Sequence, residues 1–445
     1  MSEPCCRRAV ALALLIATGS LAAQAQATRS LSLADARVAV RRASPDLVVA
    51  RESANAARGR ERQAAAFSNP SLAYSREQTS GGGQSNAQNI AMLEQPIELG
   101  AIRSARRDAA RARREAAEAR VASVEAQLDF DVARAYALAL AADRRADLAD
   151  EATAAFAEAL RVSERRLAAG DVSGYAARRL KLEAARYAII RAEAQLAQRS
   201  ARLGLASLIA ASADSVSVLR LVLVDSVIGS PVTATRDSLV PLALRSRAEL
   251  RALSLEADAA TSDAKLAARE RLPVPVLTGG YKTEQIRSPG LSGSQAPRGF
   301  AAGISLPLLL WDRRAGAIEA ADAEARGRMA ELDAQRRRVV REVAEAYDAY
   351  RSAEEQVAAL APQLGAEARL ALRAAQVAYT EGEIALVEWL DAVRAYREAE
   401  SSFALLHAEM FVRRAALERA VGAPLTSTSF TGGSRAVPSP NKEQS

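Results

Sequence analysis

The stretch NIAMLEQPIELG at residues 89–100 and the stretch GFAAGISLPLLL at residues 299–310 interrupt a chain that is otherwise rich in Ala, Arg, Glu and Leu. Both stretches alternate large and small residues, which is typical of a β-strand with two different faces. Both contain a proline and then return to helix-forming sequence. Pro96 and Pro307 are 211 residues apart, so the strand signal occurs twice at a defined interval.

Other landmarks repeat at nearly the same interval. Gly170 in RLAAGDVSGY and Gly382 in AYTEGEIALV are 212 residues apart. Each half contains two helices, a strand, a loop, a strand, a long helix, a tight turn and another long helix. This repetition predicts a duplicated chain, with a first repeat over residues 28–211, a linker over 212–238 and a second repeat over 239–422.

Long helical hairpins are predicted over residues 101–211 and 312–422. Residues 101–169 contain no proline or glycine, which predicts a helix of about 100 Å. Pro362 predicts a kink in the corresponding helix of the second repeat, and Gly170 and Gly382 are predicted to form the turns at the two hairpin tips. Apolar residues spaced by four and three predict coiled-coil packing. These residues are Val339, Val343, Ala346, Tyr350, Ala353, Val357 and Leu360 in the second repeat, and Val121, Val124, Leu128, Val132, Ala135 and Ala139 in the first.

The N-terminus carries the features of an export signal. A basic start is followed by the apolar run AVALALLIATGSLAA and by small residues, which predicts a signal peptide over residues 1–27 with cleavage after Ala25 or Ala27. Both cysteines precede the apolar run, so the exported chain is predicted to contain no disulfide. No other apolar run is long enough to form a membrane-spanning helix. A membrane role would therefore require strands.

Composition supports a helical protein that does not bind nucleic acid. Aromatic residues are 4% and charged residues 25% of the 445 residues, a profile of long helices packed through small side chains. The net charge of +7 comes from interleaved signs, which favours solvated helix faces. A single histidine and no cysteine after the signal sequence leave no usual transition-metal site within one chain. Residues 423–445 are predicted to be a disordered tail.

The strands are predicted to form one hairpin in each repeat, at about residues 71–98 and 274–310. The segments TSGGGQSNAQ (79–88) and IRSPGLSGSQAPR (286–298) are predicted to be loops. Strands of about ten residues suit a tilted membrane crossing; soluble hairpins packed on the helices are the alternative. Four strands cannot close a barrel, so a membrane role requires several copies of the chain. Glu94 shares a face with Ile90 and Met92, so either that face meets water or the strand register is shifted by one residue.

The chain resembles the TolC-like outer-membrane efflux family over nearly all of its exported length. The resemblance is carried by SLSLADARVAV (30–40), FSNPSL (67–72), LEQPIELGAIRSAR (93–106), RLAAGDVSGYAARRLKLEAARY (166–187), ISLPLLLWDRRAGAI (304–318) and YTEGEIALVEWLDAVRAYREAE (379–400). It implies a mainly α fold with a small β part. It also implies a homotrimer whose strands form one twelve-stranded barrel in outer-membrane lipid and whose helices form a periplasmic tunnel. The implied function is a passive export duct, without catalysis or cofactor, that works with a periplasmic adaptor and an inner-membrane pump.

The resemblance also implies a gate at the hairpin tips. Glu388 and Asp391, six and nine residues after Gly382, match acidic residues of the family's tunnel entrance. Tyr379 matches a tyrosine of its closing contacts. Solvated helix charges and simple packing are the respective alternatives. Ile384 and Ala176 occupy positions where the family pattern has a basic and an acidic residue, so the polar links of the gate differ here.

Further candidate residues lie at the two ends of the long helices. Gly170, Asp171, Gly382 and Glu383 at the tip turns are candidates for adaptor contact. Trp311, where strand changes to helix, is a candidate for the aromatic belt at the membrane interface, or alternatively a packing residue at a bend.

Two other protein classes fit the sequence less well than the export duct. A periplasmic adaptor would have one helical hairpin flanked by a glycine-rich β domain, whereas this sequence predicts two hairpins and no such domain. A structural coiled-coil protein of the cell envelope would not require two amphipathic strand hairpins at matching places in a duplication.

Overall fold

The computed structural model describes residues 28–99, 101–210, 220–224, 232–287, 295–308, 310–364 and 366–425. The predicted signal peptide, Gly100 and residues 426–445 of the predicted tail lie outside these ranges. The first repeat comprises β1 (Thr28–Leu31), α1 (Leu33–Ala43), α2 (Pro45–Ala65), β2 (Ser71–Gly81), β3 (Gln84–Pro96), α3 (Ile102–Ala169) and α4 (Gly174–Ile209). The remainder comprises β4 (Arg220–Leu223), α5 (Arg236–Ser246), α6 (Ala248–Arg269), β5 (Val276–Arg287), β6 (Arg298–Ser305), α7 (Ala315–Leu364), α8 (Ala366–Glu381) and α9 (Leu386–Val421).

The predicted fold class, mainly α with a small β part, is confirmed. Helix α3 runs for 68 residues without interruption, as the absence of proline and glycine predicts. In the second repeat, α7 and α8 flank residue 365, which is not described, so a kink caused by Pro362 stays a prediction. No helix in the described residues is long and apolar enough to cross a membrane.

The helices lie side by side in an order that changes along the molecule. Near the sheet, α2 packs on α3, α3 on α6, and α6 on α7. Toward the hairpin tips, α4 packs on α3, α3 on α9, and α9 on α7 and α8. At both levels one outer helix comes from the first repeat (α2 or α4), and the other from the second repeat (α7 or α8).

Two similar apolar clusters hold the middle of the molecule together. Leu128 and Val132 are buried in the first cluster, and Val339 and Val343 hold the same positions in the second. The predicted coiled-coil seam is buried from Val339 to Val357, apart from a partly buried Ala346, whereas Leu360 is exposed. Strand β4 lies in the predicted linker and pairs in parallel with β1, a contact that the sequence did not predict. Leu425, placed in the tail by the sequence, is buried against the second cluster.

The other strands form one antiparallel sheet in the order β2-β3-β5-β6. In the first hairpin the strands continue through most of the segment predicted to be a loop. The connection is a two-residue turn at Gly82 and Gly83, with φ angles of 60° and 76°. Two successive residues with positive φ match the twist of paired strands, so pairing extends up to the turn and the predicted ten-residue loop was wrong.

The strand register gives the sheet two chemically different faces, because directly paired residues point to the same side. One face carries, toward the helices, Leu72, Tyr74, Ala91, Leu93, Leu277, Tyr281, Phe300, Ala302 and Ile304, and, nearer the turn at Gly82, the polar residues Arg76, Asn89 and Thr283. This apolar face is uncovered in the single chain, where Phe300 is 90% exposed. The other face carries Glu77, Gln88, Ile90, Met92, Glu94, Lys282 and Glu284, so it is mainly polar. Glu94 therefore lies on the polar face, and the predicted strand register needs no shift.

Candidate functional site: the tips of the helical hairpins

Two turns with the same backbone geometry join the long helices. Gly170 and Gly382 have φ angles of 84° and 87°, a left-handed conformation that glycine adopts without a Cβ clash. In each turn the glycine N–H donates to the carbonyl three residues earlier, at 3.2 Å. The next N–H, of Asp171 or Glu383, donates to the carbonyl five residues earlier, at 2.9 or 2.8 Å. These bonds satisfy helix-end carbonyls, so both glycines form the turns that the sequence predicts.

The helices that leave the two turns begin differently. Ser173 caps α4, because its hydroxyl oxygen accepts a hydrogen bond from the Ala176 N–H at 3.2 Å. Ala385 occupies the same position before α9 and has no side chain that can accept one. Asp171 and Glu383 are exposed at the turns, where a partner protein can reach them.

Four aromatic rings bring the two hairpins together just behind the turns. Tyr379 of α8 stacks on Trp389 of α9, with ring centroids 5.2 Å apart. Trp389 meets the edge of Phe156 of α3 at 5.0 Å, and Phe156 stacks on Tyr187 of α4 at 4.3 Å. Tyr379 is only 7% exposed, and burial raises the pKa of its hydroxyl while Arg166 opposes that shift. These rings, with the aliphatic side chains packed around them, form the tip cluster.

The two predicted acidic residues lie apart from the tip cluster. Glu388 occupies the first turn of α9, where a carboxylate is favoured by the helix dipole. Asp391 lies one turn further along the same face and accepts a hydrogen bond from Arg394 at 3.5 Å. Both are exposed. Within the described chain no contact joins Tyr379 to either of them, so the structure separates a packed tyrosine from two exposed carboxylates.

Arg166 joins the tips of the two repeats and was not singled out by the sequence. It lies in the last turn of α3, four residues before Gly170. Its guanidinium donates to the Thr380 carbonyl at 2.7 Å and to the Tyr379 carbonyl at 3.4 Å. The signal available in the sequence was a basic residue in the last turn of a long helix, a position that favours cations.

Trp311 lies at the opposite end of the long helices, between β6 and α7. Its side chain is 93% exposed, and the neighbouring Leu308 and Leu310 are exposed as well. Phe67, which precedes β2, is also exposed, and its ring is covered on one side by the Arg103 guanidinium at 3.6 Å. Exposed apolar side chains therefore gather where the sheet meets the helices.

The comparisons with solved structures recover this architecture over most of the chain. The outer-membrane channel OprN superposes with a TM-score of 0.71 at 21% sequence identity, covering 88% of this chain and 90% of that chain. The CmeC outer membrane channel of Campylobacter jejuni gives 0.70 at 15% identity, covering 88% and 85%. The outer membrane protein VceC of Vibrio cholerae gives 0.67 at 20% identity, covering 88% and 96%. At these identities the likeness establishes the fold.

The family comparison establishes the relationship. The search of curated protein sequences found no match. The model of the family described as "Outer membrane efflux protein" matches residues 23–207 and 239–423, so it follows the two repeats and covers most of the sequence. On that evidence, the chain belongs to the outer membrane efflux protein family.

Proposed function

We propose that three copies of this outer-membrane efflux channel assemble into one continuous duct, with a twelve-stranded barrel in the outer membrane and a helical tunnel in the periplasm. The duct would pass substrates outward from an inner-membrane pump through a periplasmic adaptor. It would be passive and would carry no catalytic step. The observation that supports this proposal best is that the two outer elements of the single chain come from different repeats, both in the sheet and in the helical layers. In the sheet they are β2 of the first repeat and β6 of the second. Among the helices they are α2 or α4 of the first repeat and α7 or α8 of the second.

The sheet supports assembly because it cannot be complete by itself in a membrane. Among the described residues β2 pairs only with β3, and β6 only with β5, so each has an unpaired edge. Unpaired backbone groups are not tolerated in lipid. Pairing β2 of one copy with β6 of the next closes a ring without free edges. The apolar face would then meet lipid, and the face with Glu94, Lys282 and Glu284 would line the water-filled interior.

The outer helices also have exposed apolar surfaces, which supports assembly in the same way as the sheet edges. Five large apolar residues on α4, each seven residues from the next, are between 51% and 73% exposed in the single chain. This α4 stripe consists of Tyr175, Leu182, Ile189, Leu196 and Leu203. A heptad stripe is the seam of a coiled coil, yet no helix of the described chain covers this one. On the opposite outer helix, Leu370 and Val377 of α8 are also seven residues apart and exposed. We assign the α4 stripe to the contact with α7 and α8 of the next copy.

The candidate site residues take distinct roles in this assembly. Glu388 and Asp391 would each occur three times around the tunnel entrance and attract cations. Tyr379 would support the entrance through packing. Gly170, Asp171, Gly382 and Glu383 would meet the adaptor, and Trp311 would lie in the aromatic belt at the membrane surface.

The test is a charge placed on the α4 stripe. Replacing Leu182→Glu together with Ile189→Glu buries two carboxylates in the proposed seam, and we expect the detergent-solubilised protein to change from trimer to monomer. Ala188→Glu with Ala197→Glu is the matched control, since it adds the same charge to exposed positions of α4 outside the stripe. Light scattering and unheated gel electrophoresis measure the mass. A monomeric unmodified protein would refute the assembly, and a trimeric stripe variant would refute the assigned seam.

A further inference from the structure

We propose that Arg76 and Arg298, on the apolar face of the sheet, bind the phosphate groups of the glycolipid that forms the outer leaflet of an outer membrane. This inference rests on the proposed function, because it requires the four strands to cross that membrane with the helices on the periplasmic side. It assigns a lipid-binding surface to the border between the apolar residues of the sheet and the hairpin turns.

The strand register places both arginines directly beyond the apolar side chains. Tyr74 and Phe300 are the last apolar residues of β2 and β6, and each is two residues, about 7 Å of strand, from the arginine. In all four strands the next residue on this face is polar, and these residues are paired in one line across the sheet: Arg76, Asn89, Thr283 and Arg298. The line lies toward the turn at Gly82, away from the helices. In the proposed orientation it therefore meets the outer leaflet.

The charged side chains of the sheet are separated by face. In the described strands β2, β3, β5 and β6, the apolar face carries no acidic residue, and its charged residues are Arg76, Arg287 and Arg298. The acidic residues are all on the opposite face, together with one lysine, and they are Glu77, Glu94 and Glu284 with Lys282. The face that contacts lipid thus offers only positive charge, which attracts an anionic headgroup.

The two arginines have no partner within the described part of the chain. Arg76 and Arg298 are exposed, and neither guanidinium makes a hydrogen bond or an ion pair with another described residue. The opposite face behaves differently. Glu284 accepts a hydrogen bond from the Asn86 amide at 2.5 Å and lies 3.6 Å from the Lys282 ammonium. The polar groups of that face therefore bind one another, whereas the two arginines are available to a ligand.

Arginine suits a phosphate group at the edge of an apolar layer. Its aliphatic stem lies along apolar surface while the guanidinium reaches the headgroups. The planar fork donates two parallel hydrogen bonds to one phosphate. The ligand belongs to the outer leaflet, because the arginines and the helices lie on opposite sides of the apolar residues. Three assembled copies present the pair three times around the barrel.

Binding of lipid A, the phosphorylated part of that glycolipid, to the trimer in neutral detergent tests the proposal. We expect Arg76→Gln with Arg298→Gln to raise the dissociation constant about tenfold or more, because charge-assisted contacts with phosphate are lost. Dephosphorylated lipid A should bind the unmodified protein as weakly as lipid A binds this variant. Native mass spectrometry over a series of lipid concentrations measures both.

The matched control is Arg42→Gln with Arg251→Gln. It removes the same charge from exposed arginines of α1 and α6 whose side chains also have no partner in the described residues. Its dissociation constant for lipid A should equal that of the unmodified protein, and a rise as large as in the sheet variant would refute a specific site.

The outcomes separate this inference from the proposed function. A monomeric unmodified protein would refute the duct. A trimer whose affinity for lipid A is unchanged by the double substitution, or that binds dephosphorylated lipid A equally well, would refute the phosphate site alone. Phosphatidylglycerol bound as tightly as lipid A would refute the assignment to the outer leaflet, and displacement of lipid A by inorganic phosphate would refute a lipid as the specific ligand. If the double variant does not assemble, Arg76→Gln and Arg298→Gln are measured singly, and unchanged affinity in both would refute the site.

Discussion

The tips of the two repeats have the same type of backbone turn but differ in the side chains around it. Gly170 and Gly382 have nearly identical φ angles and the same pattern of hydrogen bonds. The first tip supplies a basic residue, Arg166, and a capping residue, Ser173. The second tip supplies the rings of Tyr379 and Trp389 and the carboxylates of Glu388 and Asp391.

The two repeats therefore have the same backbone turn at their tips, whereas the charged and aromatic side chains around the turns differ. The turn depends on one requirement, a residue that tolerates positive φ, and glycine meets it in both repeats. The side chains became complementary: rings of the second repeat pack against Phe156 of the first, and a cation of the first repeat binds carbonyls of the second. Each tip therefore contributes side chains that contact the other tip.

The largest expected effect comes from removing the central ring of the second tip. Trp389 is 1% exposed, so Trp389→Ala should lower the free energy of unfolding by about 3–5 kcal/mol through lost burial and a cavity. The chain has one other tryptophan, Trp311, which is almost fully exposed. Trp311→Ala should change stability in detergent by less than about 0.5 kcal/mol. Denaturant titration compares the two variants, and equal losses would contradict the importance of the tip cluster.

A smaller effect is expected from exchanging the capping residues of the two tips. Ser173→Ala should cost about 1 kcal/mol, because the Ala176 N–H loses its acceptor. Ala385→Ser should stabilise the start of α9 by a similar amount, since that position now has no side-chain cap. Hydrogen exchange at the first-turn amides of α4 and α9 measures both changes. If exchange at α9 does not slow in Ala385→Ser, the absence of a cap is not what distinguishes the tips.

The smallest expected effect on folding, with a specific effect on transport, comes from neutralising the acids of the second tip. Glu388→Gln with Asp391→Asn should reduce the preference of the channel for cations over anions. Stability should fall by about 0.5 kcal/mol, less than in Ser173→Ala, mainly through the lost interaction of Glu388 with the helix dipole. Reversal potentials in salt gradients measure the preference. Asp171→Asn, at the exposed turn of the first tip, is the control, and unchanged selectivity in the double variant would favour ordinary solvated helix charges.

The fold could be predicted in large part because its signals are local. The 68-residue helix follows from an absence of helix breakers, the hairpin strands from alternation, and the tip turns from two glycines. The candidate site could be predicted less completely from the sequence. Tyr379 stays a predicted gate residue, and its stacking on Trp389 depends on two different helices, while Arg166 binds residues more than two hundred positions away in the chain. The two-residue turn at Gly82 and Gly83 was missed because a run of glycine and serine suggests a longer loop.

The sequence by itself determined the duplication, the type and approximate extent of the long helices and hairpin strands, and the glycines at the tips. These features depend on backbone conformation and on periodicity within a few neighbouring residues. Only the tertiary structure decided the order β2-β3-β5-β6, the pairing of β1 with β4, the polar face that holds Glu94 and the contact of Arg166 with α8. Those features join residues that are distant in the chain, and packing and charge act between them only after the two repeats have been brought side by side.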